Sequence, residues 1–252
     1  MREYYDTYYV ANNMALILTG DIYPDEILPL IEAKFGVWKS GEIPAPIDIT
    51  EQSFNGREKI SRRMTPIKIG IMGYRTVPVG HDDEGALALS LQLLTNESKT
   101  GLIDELVVDR KIMEAGAFNM DYVDMGAANF FFLPKLFFQS LTKAENLVRG
   151  QIDKLKSGDF DDEYFNAVKL TMVRQHEEYI ESMEGRLFIL ADLFTKNKSW
   201  EDIVEWPGII KNISKEEVME VANTYFDDDY LVLHSKMGFP KKTKLEKPSF
   251  EP

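Results

Sequence analysis

Cysteine is absent from this chain of 252 residues. Its absence excludes disulfides, thiolate nucleophiles and cysteine-ligated zinc. It does not assign a compartment, because proteins of oxidising compartments can also lack disulfides. Long hydrophobic runs are missing too, since no stretch reaches the ~18 apolar residues that a membrane-spanning helix needs. Met1-Arg2-Glu3 is not the start of a signal peptide. We therefore expect no membrane partner.

Basic residues are scarce relative to acidic ones. The chain has 29 Lys and Arg against 42 Asp and Glu, a formal net charge of −13. A general nucleic-acid binder needs a basic surface to neutralise phosphates, so we expect no nucleic-acid partner. The one basic run, PKKTKLEK at 240–247, is typical of a solvated tail.

Histidine occurs only three times, and its spacing does not match a zinc motif. His176 comes nearest, but both H-x-x-E-H and H-E-x-x-H would need a second histidine at Ile180. We interpret His176 as part of a polar helix face, His81 as a loop residue and His234 as a packed strand residue. A metalloenzyme built from these three is the least favoured hypothesis, and the sequence predicts neither a catalytic residue nor a metal ligand.

Two other catalytic patterns are missing. The glycines at 70 and 73 do not form a phosphate-binding loop, and no serine nucleophile elbow is present. Acidic pairs such as Asp82-Asp83 and Asp161-Asp162 lie where helices begin, and carboxylates there cap the helix or remain solvated.

Strands and helices alternate along the chain, with helices in pairs. This pattern predicts an α+β fold in which helices cover one face of a sheet. The predicted strands are 14–18, 66–74, 115–123, 127–136 and 231–235. The predicted helices are 2–9, 24–38, 82–94, 100–109, 142–156, 161–181, 185–195 and 214–226. The spacing of Thr142 with Glu145, and of Ser214 with Glu217, predicts a capping box at the start of two of them.

The stretch FFFLPKLFF at 130–138 is the most apolar of the chain. We interpret it as a buried strand with Pro134 near its end. An exposed partner-binding patch is the alternative.

The end of the chain repeats its beginning. Residues 218–233 (VMEVANTYFDDDYLVL) and 2–18 (REYYDTYYVANNMALIL) each have a helix, an aromatic pair, a polar turn and a short aliphatic strand. The aromatic pairs are Tyr8-Tyr9 and Tyr225-Phe226. This echo suggests the closing motifs of two related domains.

Residues 7–38, TYYVANNMALILTGDIYPDEILPLIEAKFGVW, resemble a segment of the insulinase/pitrilysin-like zinc metallopeptidases. The second half is similar to the same family through IKIGIMGYRTVP, GLIDELVVDRKI and the helix that begins near Ser214. The resemblance covers most of residues 3–236. The matching positions of the first segment are Tyr8, Tyr9, Val10, Asn12, Asn13, Met14, Leu16, Gly20, Asp21, Pro24, Ile31 and Phe35.

The resemblance implies a pair of homologous α+β domains, with zinc held by an H-x-x-E-H motif in the first domain. That motif would precede the YYVANNM-type segment, so the expected zinc lies upstream and none is expected in this chain. The domain prediction follows. Residues 1–38 would close a first metallopeptidase-like domain, 39–56 would be a linker, 57–236 a complete inactive second domain and 237–252 a tail.

The family's second domain can contribute an arginine, and a tyrosine seven residues later, to substrate binding. In this chain Val107 and Glu114 stand at those places, and sliding the alignment to Arg110 puts Ala117 at the tyrosine position. The glycine-rich loop of a non-catalytic processing-peptidase subunit is also unmatched in TNESKTG. By position alone, three candidates for substrate binding remain: Gly101, Arg110 and Tyr122.

The function implied is that of a non-catalytic C-terminal half of an insulinase-like zinc metallopeptidase, which helps to enclose and bind peptide substrates. The alternative is a non-catalytic partner subunit, or a structural protein, derived from that family. Expected partners are the upstream zinc domain or a catalytic subunit, and a peptide substrate; an oligomer is compatible with either. The parent could be a bacterial periplasmic protein, but the sequence leaves the compartment open.

Overall fold

The computed structural model describes residues 2–45 and 53–239. Contacts divide the chain into two compact units, one of Met1–Gln52 with Lys169–Asn212 and one of Ser53–Val168 with Ile213–Pro252. The domain boundaries predicted from sequence stay a prediction. Residues 46–52 of the predicted linker and residues 240–252 of the predicted tail lie outside the described residues.

Nine helices and five strands occur in the described part of the chain. The helices are α1 Arg2–Tyr8, α2 Pro24–Phe35, α3 Glu84–Leu94, α4 Asp104–Val108, α5 Leu141–Ser157, α6 Asp162–Glu181, α7 Met183–Lys196, α8 Trp200–Asn212 and α9 Lys215–Tyr225. The strands are β1 Glu58–Thr65, β2 Ile69–Thr76, β3 Glu114–Asp121, β4 Gly126–Leu133 and β5 Leu231–Met237. A short 3-10 turn covers Ala11–Asn13.

The second unit is built on a five-stranded mixed sheet in the order β1-β5-β2-β4-β3. β1 and β5 are parallel, and the other neighbours are antiparallel. Alternate residues of β2 and β4 are buried while those between them are partly exposed. Since side chains of a strand alternate between faces, the helices cover one face of the sheet and leave the other open. The predicted α+β class is confirmed.

An aromatic cluster forms the centre of the covered face. The rings of Tyr74, Phe130, Phe226 and Tyr230 lie within 5.8 Å of one another in successive pairs, and each is at most 2% exposed. Such pairs add to the free energy gained from burying apolar area. The cluster packs β2, β4 and the turn between α9 and β5 into one core.

Two helix starts have the capping that the sequence predicts, and a third does not. Ser214 and Glu217 form a reciprocal capping box on α9, as predicted, and the Asp161 carboxylate accepts from the Glu163 amide. The predicted box of Thr142 and Glu145 is wrong. Ser140 is the N-cap of α5, because its side chain accepts from the Lys143 amide, and this leaves Glu145 free for another role.

Three local predictions fail for identifiable reasons. β1 (EKISRRMT) was not predicted because its charged residues hide the strand alternation, and α8 was not predicted because it contains Pro207 and Gly208. The predicted strand 14–18 is not a strand in the structure: its segment has no strand partner in the first unit. A strand needs a neighbour to satisfy its backbone groups.

The first unit holds its turns by side-chain amides rather than by a sheet. Asn12 donates from Nδ2 to the Gly41 carbonyl at 3.0 Å and accepts from the Gly41 amide at 2.9 Å. Asn13 donates to the Tyr8 carbonyl at 2.9 Å. The paired asparagines of the sequence therefore organise the turn after α1. In this unit α1 and α2 have no buried residue.

The apolar stretch at 130–138 divides between its two interpretations. Phe130 and Phe132 are buried in β4, whereas Phe137 is 72% and Phe138 fully exposed in the loop beyond it. The buried-strand prediction is confirmed as far as Leu133. The loop beyond it is exposed, as the alternative requires, and partner binding there stays a prediction. Among the described residues, no helix is long and apolar enough to cross a membrane.

Candidate functional site

The face of the sheet that the helices leave open carries a row of apolar residues in the second unit. Cross-strand register aligns one residue from each strand in a single row. The row, in sheet order, is Ile60, Leu233, Ile71, Phe131 and Gly116. We call this row and its neighbours on the same face the open face.

Glycine keeps part of the open face shallow. A Cβ on Gly116 would lie 2.6 Å from the Phe131 ring, so that ring lies over the glycine. In the next row Gly73 stands between Leu231 and Asn129, again without a side chain. The surface therefore has low places beside projecting apolar groups, a shape that can accept alternate side chains of an extended peptide.

The edge strands carry the most exposed groups of the open face. Ile60 is 41% exposed on β1, and Phe118 and Met120 are 45% and 40% exposed on β3. The face offers apolar contacts and no nucleophile paired with a base. Its chemistry suits binding rather than bond cleavage.

A buried polar network lies on the covered face of the same sheet. The carboxylate of Glu145, 1% exposed, receives two hydrogen bonds from Arg57, at 2.6 and 2.8 Å. The hydroxyl of Tyr230 donates to it at 2.9 Å, and Nε2 of His234 lies 2.9 Å from its second oxygen. Three side chains, one from the residue before β1 and two from the β5 region, thus meet at the carboxylate of one residue of α5.

The network keeps Glu145 ionised. Burial disfavours the charged carboxylate, but hydrogen bonds from Arg57, His234 and Tyr230 outweigh it and lower the pKa of Glu145 to about 2. The hydrogen bond to Glu145 raises the pKa of Arg57. Burial, with the same carboxylate, raises the pKa of Tyr230. A carboxylate that stays ionised near neutrality cannot serve as a general acid there.

Sequence reasoning missed this network. Glu145 follows Thr142 by three residues, which is the capping-box spacing, and Arg57 is 88 residues away in sequence. No local pattern connects them. The network anchors α5 to the β1–β5 edge of the sheet, and its role is structural.

The three histidines occupy separate environments. His81 is exposed in a turn, where its Nδ1 accepts from the Asp83 amide at 3.1 Å. His176 Nε2 lies 2.9 Å from the Ile203 carbonyl, and His234 belongs to the buried network. Among the described residues no group of three or more His, Cys, Asp or Glu side chains could hold a metal ion.

The candidates predicted by position are not brought together. Gly101 is buried at the start of the α4 turn, where a Cβ would lie 2.4 Å from the Leu94 carbonyl oxygen. Arg110 is exposed, with φ of 54°, just before β3. Tyr122, 51% exposed, follows the other end of that strand. Close packing explains Gly101, and substrate binding by the three stays a prediction.

Comparison with known proteins identifies the family. The family model described as Peptidase M16 inactive domain matches residues 1–172. No curated protein sequence matches the chain.

Solved structures share the fold at low sequence identity. A protease from Helicobacter pylori superposes with a TM-score of 0.82 at 19% identity, covering 93% of this chain and 58% of that one. The periplasmic protease PqqL from Escherichia coli gives 0.73 at 16%, covering 94% and 28%. A peptidase M16 inactive domain from Pseudomonas fluorescens gives 0.72 at 11%, covering 88% and 53%. The chain thus spans less than two thirds of each of these proteins.

Proposed function

The chain belongs to the peptidase M16 inactive-domain family, and on that premise we propose that it is the non-catalytic half of a zinc metallopeptidase. It binds extended peptides on the open face and presents them to a zinc domain outside this sequence. The zinc, the hydrolytic water and the general base belong to that other domain. This chain contributes contacts and orientation, which raise the rate by holding the scissile bond in place.

The open face is the observation that carries this proposal. Its central row consists of Ile60, Leu233, Ile71 and Phe131 with Gly116. A folded domain normally covers such a face, because exposed apolar area costs free energy. An extended peptide that binds reversibly to this face would bury the apolar side chains without needing one particular sequence. Such binding suits a protein whose substrates are unfolded chains of varied sequence.

The first unit supports a partner domain. Residues 14–18 are apolar, and Met14, Leu16 and Leu18 are 40%, 51% and 45% exposed. By the internal echo they correspond to β5, which lies between two strands in the second unit. A zinc domain that supplies neighbouring strands would cover this segment.

Peptide binding can be measured directly. A fluorescently labelled unstructured peptide rich in aliphatic residues is titrated with the chain, and its anisotropy reports the Kd. We expect the double variant Ile60→Ser with Phe118→Ser to raise the Kd about tenfold, since each residue would lose apolar contact area. Val108→Ser, at an exposed position of α4, should change it less than about twofold. Equal affinity of the double variant would contradict binding on the open face.

The alternative, a separate partner subunit, differs in where the zinc motif resides. The tagged chain is purified from its source cells and the polypeptides are identified by mass spectrometry. An H-x-x-E-H motif in the same polypeptide supports the two-domain protease. The motif in a second polypeptide of equal stoichiometry supports the partner subunit. Absence of the motif from both would overturn the proposal.

A further inference from the structure

One end of the sheet in the second unit combines exposed aromatic and basic side chains. There β1 and β5 end, β2 and β3 begin, and β4 runs into the loop 134–139. Pro134, Leu136 and Met237 line a common shallow hollow with Ile67 and Met113. We call this region the basic–aromatic end.

The apolar side chains of the basic–aromatic end are exposed to solvent. Leu136, Phe137 and Phe138 are 42%, 72% and 107% exposed, and Phe239, beyond β5, is 76% exposed. The rings of Phe137 and Phe138 are 6.4 Å apart. Phe138 has φ of 66°, an uncommon backbone conformation for a bulky residue. Consecutive large apolar side chains with this degree of exposure mark an interaction surface.

The loop that carries these side chains is held firmly. Gln139, 6% exposed, accepts from the Lys135 amide at 2.6 Å and donates to the Lys111 carbonyl at 2.9 Å. Its own carbonyl accepts from Lys68 Nζ at 2.9 Å. These hydrogen bonds connect the loop to the residues just before β2 and β3, and they fix the base of the loop below the exposed Phe137 and Phe138.

Exposed positive charge lies at the same end of the sheet, although the chain as a whole carries −13. Arg63 and Lys236 are register partners on the neighbouring strands β1 and β5, and both are exposed. Arg62 and Lys135 are exposed at the same end. These four cations form no ion pair with another residue in the described ranges. Like charges on adjacent strands repel, and the sheet itself gains nothing from them.

Together these features fit an anionic bilayer surface better than a second copy of the chain. A two-fold contact through this end would set basic groups against basic groups. Phe and Leu side chains that project beside Lys and Arg can enter the headgroup boundary while the cations meet anionic lipids.

We propose that the basic–aromatic end docks the chain peripherally on anionic lipid membranes, with Leu136, Phe137 and Phe138 entering the headgroup region. No spanning helix is required. The expectation of no membrane partner came from the lack of a spanning run, and it does not bear on a peripheral contact. This proposal stands independently of the peptide-binding function, since no residue of the central row of the open face takes part in it.

Co-sedimentation with vesicles tests the proposal on the intact chain. We expect binding to phosphatidylcholine vesicles that contain about 30% phosphatidylglycerol, little binding to phosphatidylcholine alone, and weaker binding as salt rises to about 0.5 M. Failure to bind the anionic vesicles, or equal binding to both kinds, would overturn the proposal.

Two variants separate the apolar and the basic contributions. Phe137→Ser with Phe138→Ser should lower the bound fraction at least about fivefold, because the inserted area is lost. Arg62→Gln, Arg63→Gln and Lys236→Gln together should weaken the affinity for anionic vesicles about a hundredfold, at roughly fivefold per charge. The matched controls are Val108→Ser with Val123→Ser, and Lys99→Gln with Lys154→Gln and Lys196→Gln. Controls that lose binding equally would contradict the assignment.

The lack of native cysteine allows a direct readout of insertion. A single cysteine from F138C, labelled with an environment-sensitive fluorophore, should shift its emission to the blue on addition of anionic vesicles. V123C carries the matched label and should not shift. A blue shift of the F138C label that grows with protein concentration in the absence of lipid would instead assign the end to a second copy and overturn the membrane proposal.

Discussion

The two copies of the helix–turn–strand pattern, residues 2–18 and 218–233, end in opposite environments. In the second copy Phe226 is 2% and Val232 0% exposed. In the first copy the corresponding Tyr9 is 55% exposed, and Ile17, which corresponds to Val232, is only half-buried. The sequences are alike in pattern, so local propensity does not account for the difference.

The difference lies in what surrounds each strand segment. β5 lies between β1 and β2 and shares hydrogen bonds with both, whereas residues 14–18 have no strand neighbour in the first unit. A strand is stable only when its backbone groups are paired and one side chain face is buried. The comparison teaches that the pattern specifies a strand only together with its sheet.

Backbone amide exchange should show the largest contrast. We expect the amides of β5 to exchange at least about a thousandfold more slowly than those of residues 15–18, because β5 opens only with the global fold. Hydrogen–deuterium exchange with mass spectrometry measures both segments in one experiment. Slow exchange at residues 15–18 that persists on dilution would break the comparison, since it requires a paired strand within one chain.

Truncation of the corresponding aromatic residues should show a smaller contrast. Phe226→Ala removes a ring that packs on Tyr74 and Phe130, and should lower the free energy of unfolding by about 3–5 kcal/mol. Tyr9→Ala should change it by less than about 0.5 kcal/mol, because that ring is largely exposed. Urea unfolding followed by circular dichroism measures both. A similar loss in the two variants would mean that the first copy has a core of its own.

Much of the fold could be predicted from sequence because periodicity and capping are local. The hairpin strands β3 and β4, the capping box at Ser214 and the α+β class follow from such patterns and are confirmed. The edge strand β1 could not be predicted, since a charged edge strand loses its alternation. The local pattern of residues 14–18 is typical of a strand, but the first unit has no neighbouring strand with which this segment could pair.

The site was harder to predict than the fold. The open face depends on register between strands far apart in sequence, such as Ile60 beside Leu233. The Glu145 network depends on two residues that are distant in sequence: Arg57 precedes Glu145 by 88 residues, and Tyr230 follows it by 85. Hydrogen bonds of this kind are long-range, and single-sequence patterns carry no signal for them.

Acid unfolding should show how the network holds β5 in place. The pKa of Glu145 is about 2 in the folded chain, below the ~4.3 of an unperturbed glutamate. A carboxylate whose pKa is lower in the folded chain than in the unfolded chain stabilises the fold at pH values above its unfolded pKa. This stabilisation is lost as the pH falls to the folded-state pKa. Between pH ~4.5 and ~2 the free energy of unfolding should therefore fall by about 3 kcal/mol through Glu145.

Glu145→Gln tests this contribution, because the amide keeps the size of the side chain and cannot ionise. Its free energy of unfolding should vary less over this acid range than that of the unaltered chain. Glu105→Gln is the matched control, since Glu105 is an exposed carboxylate 3.6 Å from Lys154 and should leave the acid dependence unchanged. If Glu145→Gln follows the same acid dependence as the unaltered chain, another carboxylate dominates. The buried network would then not distinguish β5 from residues 14–18.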